Sequence, residues 1–217
     1  MLEQVPDRIR NQWHKKCQFI KTEETFSDAE KYQAKSAIFA EFGKVIVIAA
    51  GFFYKNDEKV SLRIKSFHAH EEKEVLVAFA KLLESYPVDK LRLCAHNGKE
   101  FDYPYLCRRY LINGLKIPSA LNIRGKKPWE IQHLDTMEMW SFGDRKNYTS
   151  LELLASIFDL PSSKNDIDGS MVNQVYYAEN DLGRIARYCQ HDVATTARLY
   201  LKLAERDDIS LDDVEFL

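Results

Sequence analysis

Tyr188 and Asp192, in the run Tyr188-Cys189-Gln190-His191-Asp192, stand four residues apart near the end of a long helical pattern. That spacing places them on one helical face, one turn apart. About 90 residues upstream, His96-Asn97-Gly98-Lys99-Glu100-Phe101-Asp102 leads from an apolar strand through an Asn-Gly turn into a helix with Asp102 in its first turn. Two carboxylates at element ends, with a phenol beside one, are components of divalent-metal hydrolysis of a phosphodiester. Each also has a plainer reading. The positive end of a helix favours Asp102 in its ionised form, and Asn97 suits an Asn-Gly turn. Asp192 on a solvated face would pair with Arg184, Arg187 or Arg198. Facing the core, it would need a cation or hydrogen-bond donors.

The elements that must position these groups follow from periodicity. Residues 2–41 are polar and helix-prone, with Trp13, Phe19, Phe26 and Phe39 as apolar anchors. Lys44 to Tyr54 reads as a buried strand, and Val60 to Phe67 alternates apolar and polar, so the two form an antiparallel hairpin about Asn56-Asp57-Glu58. Residues 71–86 carry apolar positions at helical spacing. Lys90 to Ala95 is a short strand, Asp102 to Ile112 a helix ending at Asn113-Gly114, and Ile131 to Leu134 another strand. From Tyr148 the pattern is helical, broken by the loop Pro161 to Gly169, and Asp181 to Glu205 is a long closing helix. Four strands are visible, and their alternation with helices implies a mixed sheet with helices on both faces.

A chain of 217 residues suffices for one full core. The organisation expected is a single domain, 1–217, with a helical segment 1–41, a sheet region 42–136 and a helical region 146–205. A net charge of −2 excludes general polyanion attraction, so a nucleic-acid partner would need a local basic surface or bound metal ions. Four cysteines without CxxC spacing suit free thiols in a reducing, cytoplasmic setting. No apolar run approaches the length of a membrane span, so no membrane partner is expected.

Taken together, these segments resemble the DnaQ-like (DEDD) 3′–5′ exonuclease superfamily, tyrosine subclass, within the RNase H-like fold. The closer likeness is to the predicted 3′–5′ exonuclease family related to the family B DNA polymerase proofreading domain. It extends over nearly the whole chain, including Ala40 to Lys44, His96 to Tyr105, Gly125-Lys126-Lys127-Pro128-Trp129, His133-Leu134-Asp135-Thr136, Lys146 to Leu151 and Asp166 to Ser170. The resemblance implies metal-binding carboxylates at Asp102 and Asp192, Tyr188 orienting the attacking water, and Asn97 in support. Arg187 at the histidine position of the sister subclass points to the tyrosine subclass. The implied cofactor is Mg²⁺ or Mn²⁺, two ions about 4 Å apart in the complete protein. The implied partner is nucleic acid with a free 3′ end, single-stranded DNA favoured. Lys99 and Phe101 are candidate substrate contacts, Lys99 alternatively pairing with Glu100. Asp135 is assigned a structural role, and Asp166 and Asp168 turn chemistry. Arg124 to Trp129 would either meet a phosphate backbone and stack a base, or form a solvated loop with Trp129 folded inward.

The family's first motif, Asp-x-Glu-Thr on a central strand, is absent. Its lookalike, Phe19 to Phe26, has Glu24-Thr25 but Thr22 where the aspartate belongs. Leu2 to Trp13 instead resembles family sequence that follows the first motif, so Met1 is read as an internal methionine of a longer protein. The expected consequences are unpaired strand edges, self-association or a repaired sheet over the gap, and, as the alternative function, a catalytically incompetent binding or assembly module.

Overall fold

A computed structural model of the chain describes residues 2–21, 26–56, 59–144, 148–161 and 166–217. Thr22, Glu24-Thr25, the hairpin turn at 57–58 and Lys146-Asn147 lie outside the described residues. Alternating apolar residues carry the chain into the antiparallel hairpin β1 (Val47–Asn56) and β2 (Lys59–His68), in register from Val47 opposite His68. A third strand, β5 (Val214–Phe216), pairs in parallel with β2, opposite Leu62 to Ile64. Sequence periodicity misses β5, because three residues flanked by Asp212 and Asp213 carry no readable alternation.

The helices expected over 71–86, 102–112 and 181–205 fall close to those bounds, whereas α5 and α7 were not foreseen and the others had no stated limits. In chain order the helices are α1 (Asp7–Cys17), α2 (Asp28–Lys35), α3 (Glu72–Glu84), α4 (Asp102–Ile112), α5 (Thr136–Ser141), α6 (Leu151–Ile157), the short α7 (Val172–Gln174) and α8 (Leu182–Leu203). Ser27 and Glu30 form a reciprocal capping box on α2. Asp181 caps α8 by accepting the Arg184 N–H at 2.8 Å. Among the expected N-terminal anchors, Trp13 is fully buried against Tyr32, Phe39 and Phe42, whereas Phe19 is exposed. No described helix is long and apolar enough to cross a membrane.

The architecture is mixed α/β, as an RNase H-like fold requires, but its strands do not form one sheet. β3 (Cys94–Ala95) and β4 (Leu134–Asp135) pair in parallel as a separate two-stranded sheet. The strands expected over Lys90–Ala95 and Ile131–Leu134 shrink to these two residues each. α8 packs on β1 and β2 and also touches β3, so one helix backs both sheets. Ile48 and Ala50 of β1 join the same apolar cluster as Leu93 and Ala95. The two sheets therefore share a core without sharing a hydrogen-bond ladder. The expectation of a buried first strand fails here. Phe52 and Phe53 are 43% and 37% exposed, and among the described residues no strand pairs with the outer edge of β1.

Candidate active site

The turn between β3 and α4 is folded by a carboxylate from the neighbouring strand. Asp135, 2% exposed, accepts the backbone N–H groups of Asn97 at 2.8 Å and Lys99 at 3.1 Å, and that of Met137 at 3.0 Å. Three donors on one buried carboxylate satisfy it without a counter-ion. Asn97 adopts φ +61°, the left-handed conformation that asparagine tolerates better than most residues. Gly98 lies so close to the strand that a Cβ there would sit 2.5 Å from the Ala95 methyl and 3.5 Å from Asp102 Oδ2. His96 ties the strand end outward, with Nδ1 2.9 Å from Thr136 Oγ1 and Nε2 2.8 Å from the Thr149 carbonyl.

This turn delivers Asp102 to the start of α4. Asp102 keeps a solvent-facing surface but lies within a dense shell of protein atoms. That crowding, with the charges of Asp135 and Asp192, pushes its carboxyl up to about 6. The helix end was expected to favour the ionised form. Desolvation and two like charges outweigh it.

Tyr188 and Asp192 share one face of α8, as their spacing requires. Burial, the charge of Asp192 and a hydrogen bond to it raise the Tyr188 phenol well above its usual range, with a smaller push from Asp168. Tyr188 is therefore a phenol at any physiological pH, a donor and not a base. Gly169 lies beside it, and a Cβ there would stand 4.0 Å from its hydroxyl. Asp168 caps its own turn, accepting Ser170 N–H at 2.7 Å and Ser170 Oγ–H at 2.5 Å. The turn chemistry was readable from the sequence, but the proximity of Asp168 to Tyr188 was not.

The solvated-face alternatives for Asp192 do not form with two of the three arginines. Arg184 pairs with Asp166 and Glu179, and Arg198 with Asp208. Lys99 is also committed, but to Glu138 at 2.7 Å, not to Glu100. Its side chain is 12% exposed, which holds it against α5 and away from open solvent. Phe101 is 44% exposed beside the Asp102 carboxylate, with its ring 5.7 Å from that of Tyr105. Asn97 presents a buried side-chain oxygen that has no hydrogen-bond partner among the described residues, as does the Tyr103 hydroxyl.

Residues 38–215 match the model of a family described as a predicted 3′-5′ exonuclease related to the exonuclease domain of PolB. The chain belongs to that family. Exonuclease chemistry of this type implies hard divalent cations, and the carboxylates of Asp102 and Asp192, which bear electrostatically on each other, are hard oxygen donors of the kind such ions take. Two carboxylates suit one hydrated Mg²⁺ or Mn²⁺, which commonly keeps several waters. They do not suit a two-ion centre. Among the described residues no group of three or more His, Cys, Asp and Glu side chains is arranged to hold a metal. Two Asp-x-Glu strings occur, but both are engaged elsewhere. Asp28 binds His14 and Cys17 while Glu30 caps α2. In the other, Asp213-Val214-Glu215, Glu215 pairs with Arg63 on β2.

Proposed function

We propose that this member of the exonuclease family hydrolyses phosphodiester bonds from the 3′ end of nucleic acid, DNA in preference to RNA, with Mg²⁺ or Mn²⁺. The observation that carries the reading is the family match over residues 38–215, and it is supported by the charge of Asp192, about 90 residues away in sequence, adding to the burial that raises the Asp102 carboxyl. A bound cation would polarise the scissile phosphate and relieve the repulsion between these carboxylates. Asp102 and Asp192 would hold the ion. Tyr188, a fixed phenol one turn from Asp192, would donate a hydrogen bond that orients a water. Phe101 would stack the terminal base, while Lys99 would hold the α5 side of the site through Glu138.

Digestion of 5′-labelled single-stranded DNA in Mn²⁺ is expected to give a ladder shortening from the 3′ end, lost by at least 100-fold (about 3 kcal/mol of transition-state stabilisation) in Asp192→Ala. No ladder, with binding intact, would transfer the function to a second reading, an exonuclease-fold module that binds or assembles without cutting. That second reading draws support from the small ligand set and the divided sheet.

The divided sheet also carries a partner proposal. Val47 to Tyr54 contains no charge and no proline to guard the outer edge of β1. Self-association through this edge is the expected outcome. Light scattering should report a dimer or larger species at micromolar concentration, and a monodisperse monomer would contradict it.

A further inference from the structure

Beyond the carboxylate pair, the loop between α4 and β4 carries a concentration of positive charge and an outward-facing ring. Arg124, Lys126 and Lys127 oppose one carboxylate in residues 124–130, Glu130, in a chain whose net charge is −2. Among the described residues none of these three cations forms an ion pair. Trp129 is 76% exposed, the most exposed of the three tryptophans, with Lys127 Nζ 5.2 Å from its ring centroid. The inward-folded alternative is thereby excluded.

The ring is displayed on a braced support. Gly125 takes φ +72°, a left-handed turn open to glycine. Pro128 opens a single helical turn, and the Glu130 carboxylate accepts the Lys127 N–H at 2.7 Å. Leaving so large an apolar surface in water is costly, and a braced loop gives it no means of collapsing inward.

The loop is also tied to the strand that leads to Asp102. Lys126, Arg92 and Lys99 all bear electrostatically on His133. His133 accepts the Leu93 N–H at Nδ1, 3.2 Å, and lies 2.7 Å from the Ala120 carbonyl through Nε2, so its neutral Nε2–H form links β3 to the loop. Its ring meets Tyr103 edge-on at 5.3 Å, and Tyr103 follows Asp102 on α4. One ring contact, between His133 and Tyr103, thus connects the loop to the helix that begins at Asp102.

We infer that the Arg124–Trp129 loop is a docking platform for single-stranded nucleic acid, stacking an unpaired base on Trp129 and holding its phosphates with Arg124, Lys126 and Lys127. A base offers the flat face the ring lacks, and a phosphate supplies the missing anion. A duplex hides its base faces, so the strand is single. The inference deepens the exonuclease reading but requires no catalysis.

Fluorescence anisotropy of labelled oligo-dT and oligo-U with the full chain in EDTA tests it, because no cleavage can occur there. Wild-type protein is expected to bind, with Trp129→Ala weakened about tenfold and Trp129→Tyr partly restored. Each of Lys126→Ser and Lys127→Ser is expected to flatten the salt dependence by about 0.7 in log–log slope. Unchanged binding in Trp129→Ala, absence of binding in wild type, or equal binding of poly-glutamate would each overturn the platform. A binding-competent chain that fails to digest DNA would overturn only the catalytic reading.

Discussion

Replacing Asp135 with alanine is expected to destabilise the fold by about 4 kcal/mol, since three buried backbone N–H groups lose their acceptor together. In a domain of this size that is roughly a 10 °C fall in Tm. The loss should be local in origin. The Asp135 carboxylate accepts the backbone N–H groups of both Asn97 and Lys99, so the turn that aims Asp102 should loosen first. Asp135→Asn keeps the shape but replaces one acceptor oxygen by a donor, so about half the loss is expected. Urea denaturation of the three proteins measures this directly. An alanine variant within about 1 kcal/mol of the parent would show that Asp135 does not brace the turn.

The second large effect lies at the base of α4. The Arg109 guanidinium grips Glu72 with two hydrogen bonds, one of them from Nε at 2.8 Å, and donates through Nη1 to the Ala40 carbonyl at 2.7 Å. Glu72 also accepts Val45 N–H and Asn113 Nδ2–H, both at 2.8 Å. Each partner is 7% exposed. Removing one would leave an uncompensated buried charge, so Glu72→Ala is expected to cost about 4 kcal/mol. Joint replacement of both by leucine or methionine should cost less than either single change, because no orphan charge remains.

The pair has a pH signature. Burial works to raise the Glu72 carboxyl, but Arg109, the Val45 N–H and Asn113 together hold it below the usual value of 4.5. A carboxylate with a depressed folded-state pKa stabilises the protein above its unfolded value and loses that contribution as pH falls through the folded one. Stability from this group should therefore be complete above about pH 4.5 and decline below it. Denaturation profiles of Glu72→Gln should lack this part of the acid limb. An unaltered limb would assign acid unfolding to other carboxylates.

How far the sequence reveals this molecule depends on the range of each signal. The hairpin and α4 follow from local periodicity and turn residues, and α4 runs from Asp102 to Ile112 as the pattern predicts. Tyr188 and Asp192 share a face because 3.6-residue spacing leaves no other arrangement. What depends on distant partners was hidden. The ionisation of Asp102 is set first by burial and then by the charges of Asp135 and Asp192, none of which local helix electrostatics can foresee. Lys99 has a nearer carboxylate in Glu100 but reaches Glu138, brought close by the β3–β4 pairing. The apolar run of β1 reads as buried, yet Phe52 and Phe53 remain partly exposed, and among the described residues the strand pairs with β2 alone. Trp129 is ambiguous in sequence because exposure depends on how the Gly125 and Pro128 turns aim the ring.

The central claim is that Asp102 and Asp192 act as one cation site facing the substrate. Calorimetric titration of the protein with Mn²⁺ tests it most directly. The account predicts one ion per chain, lost in both Asp102→Ala and Asp192→Ala and preserved in Glu138→Gln. Binding that survives both aspartate substitutions would place the ion elsewhere and contradict the site described here.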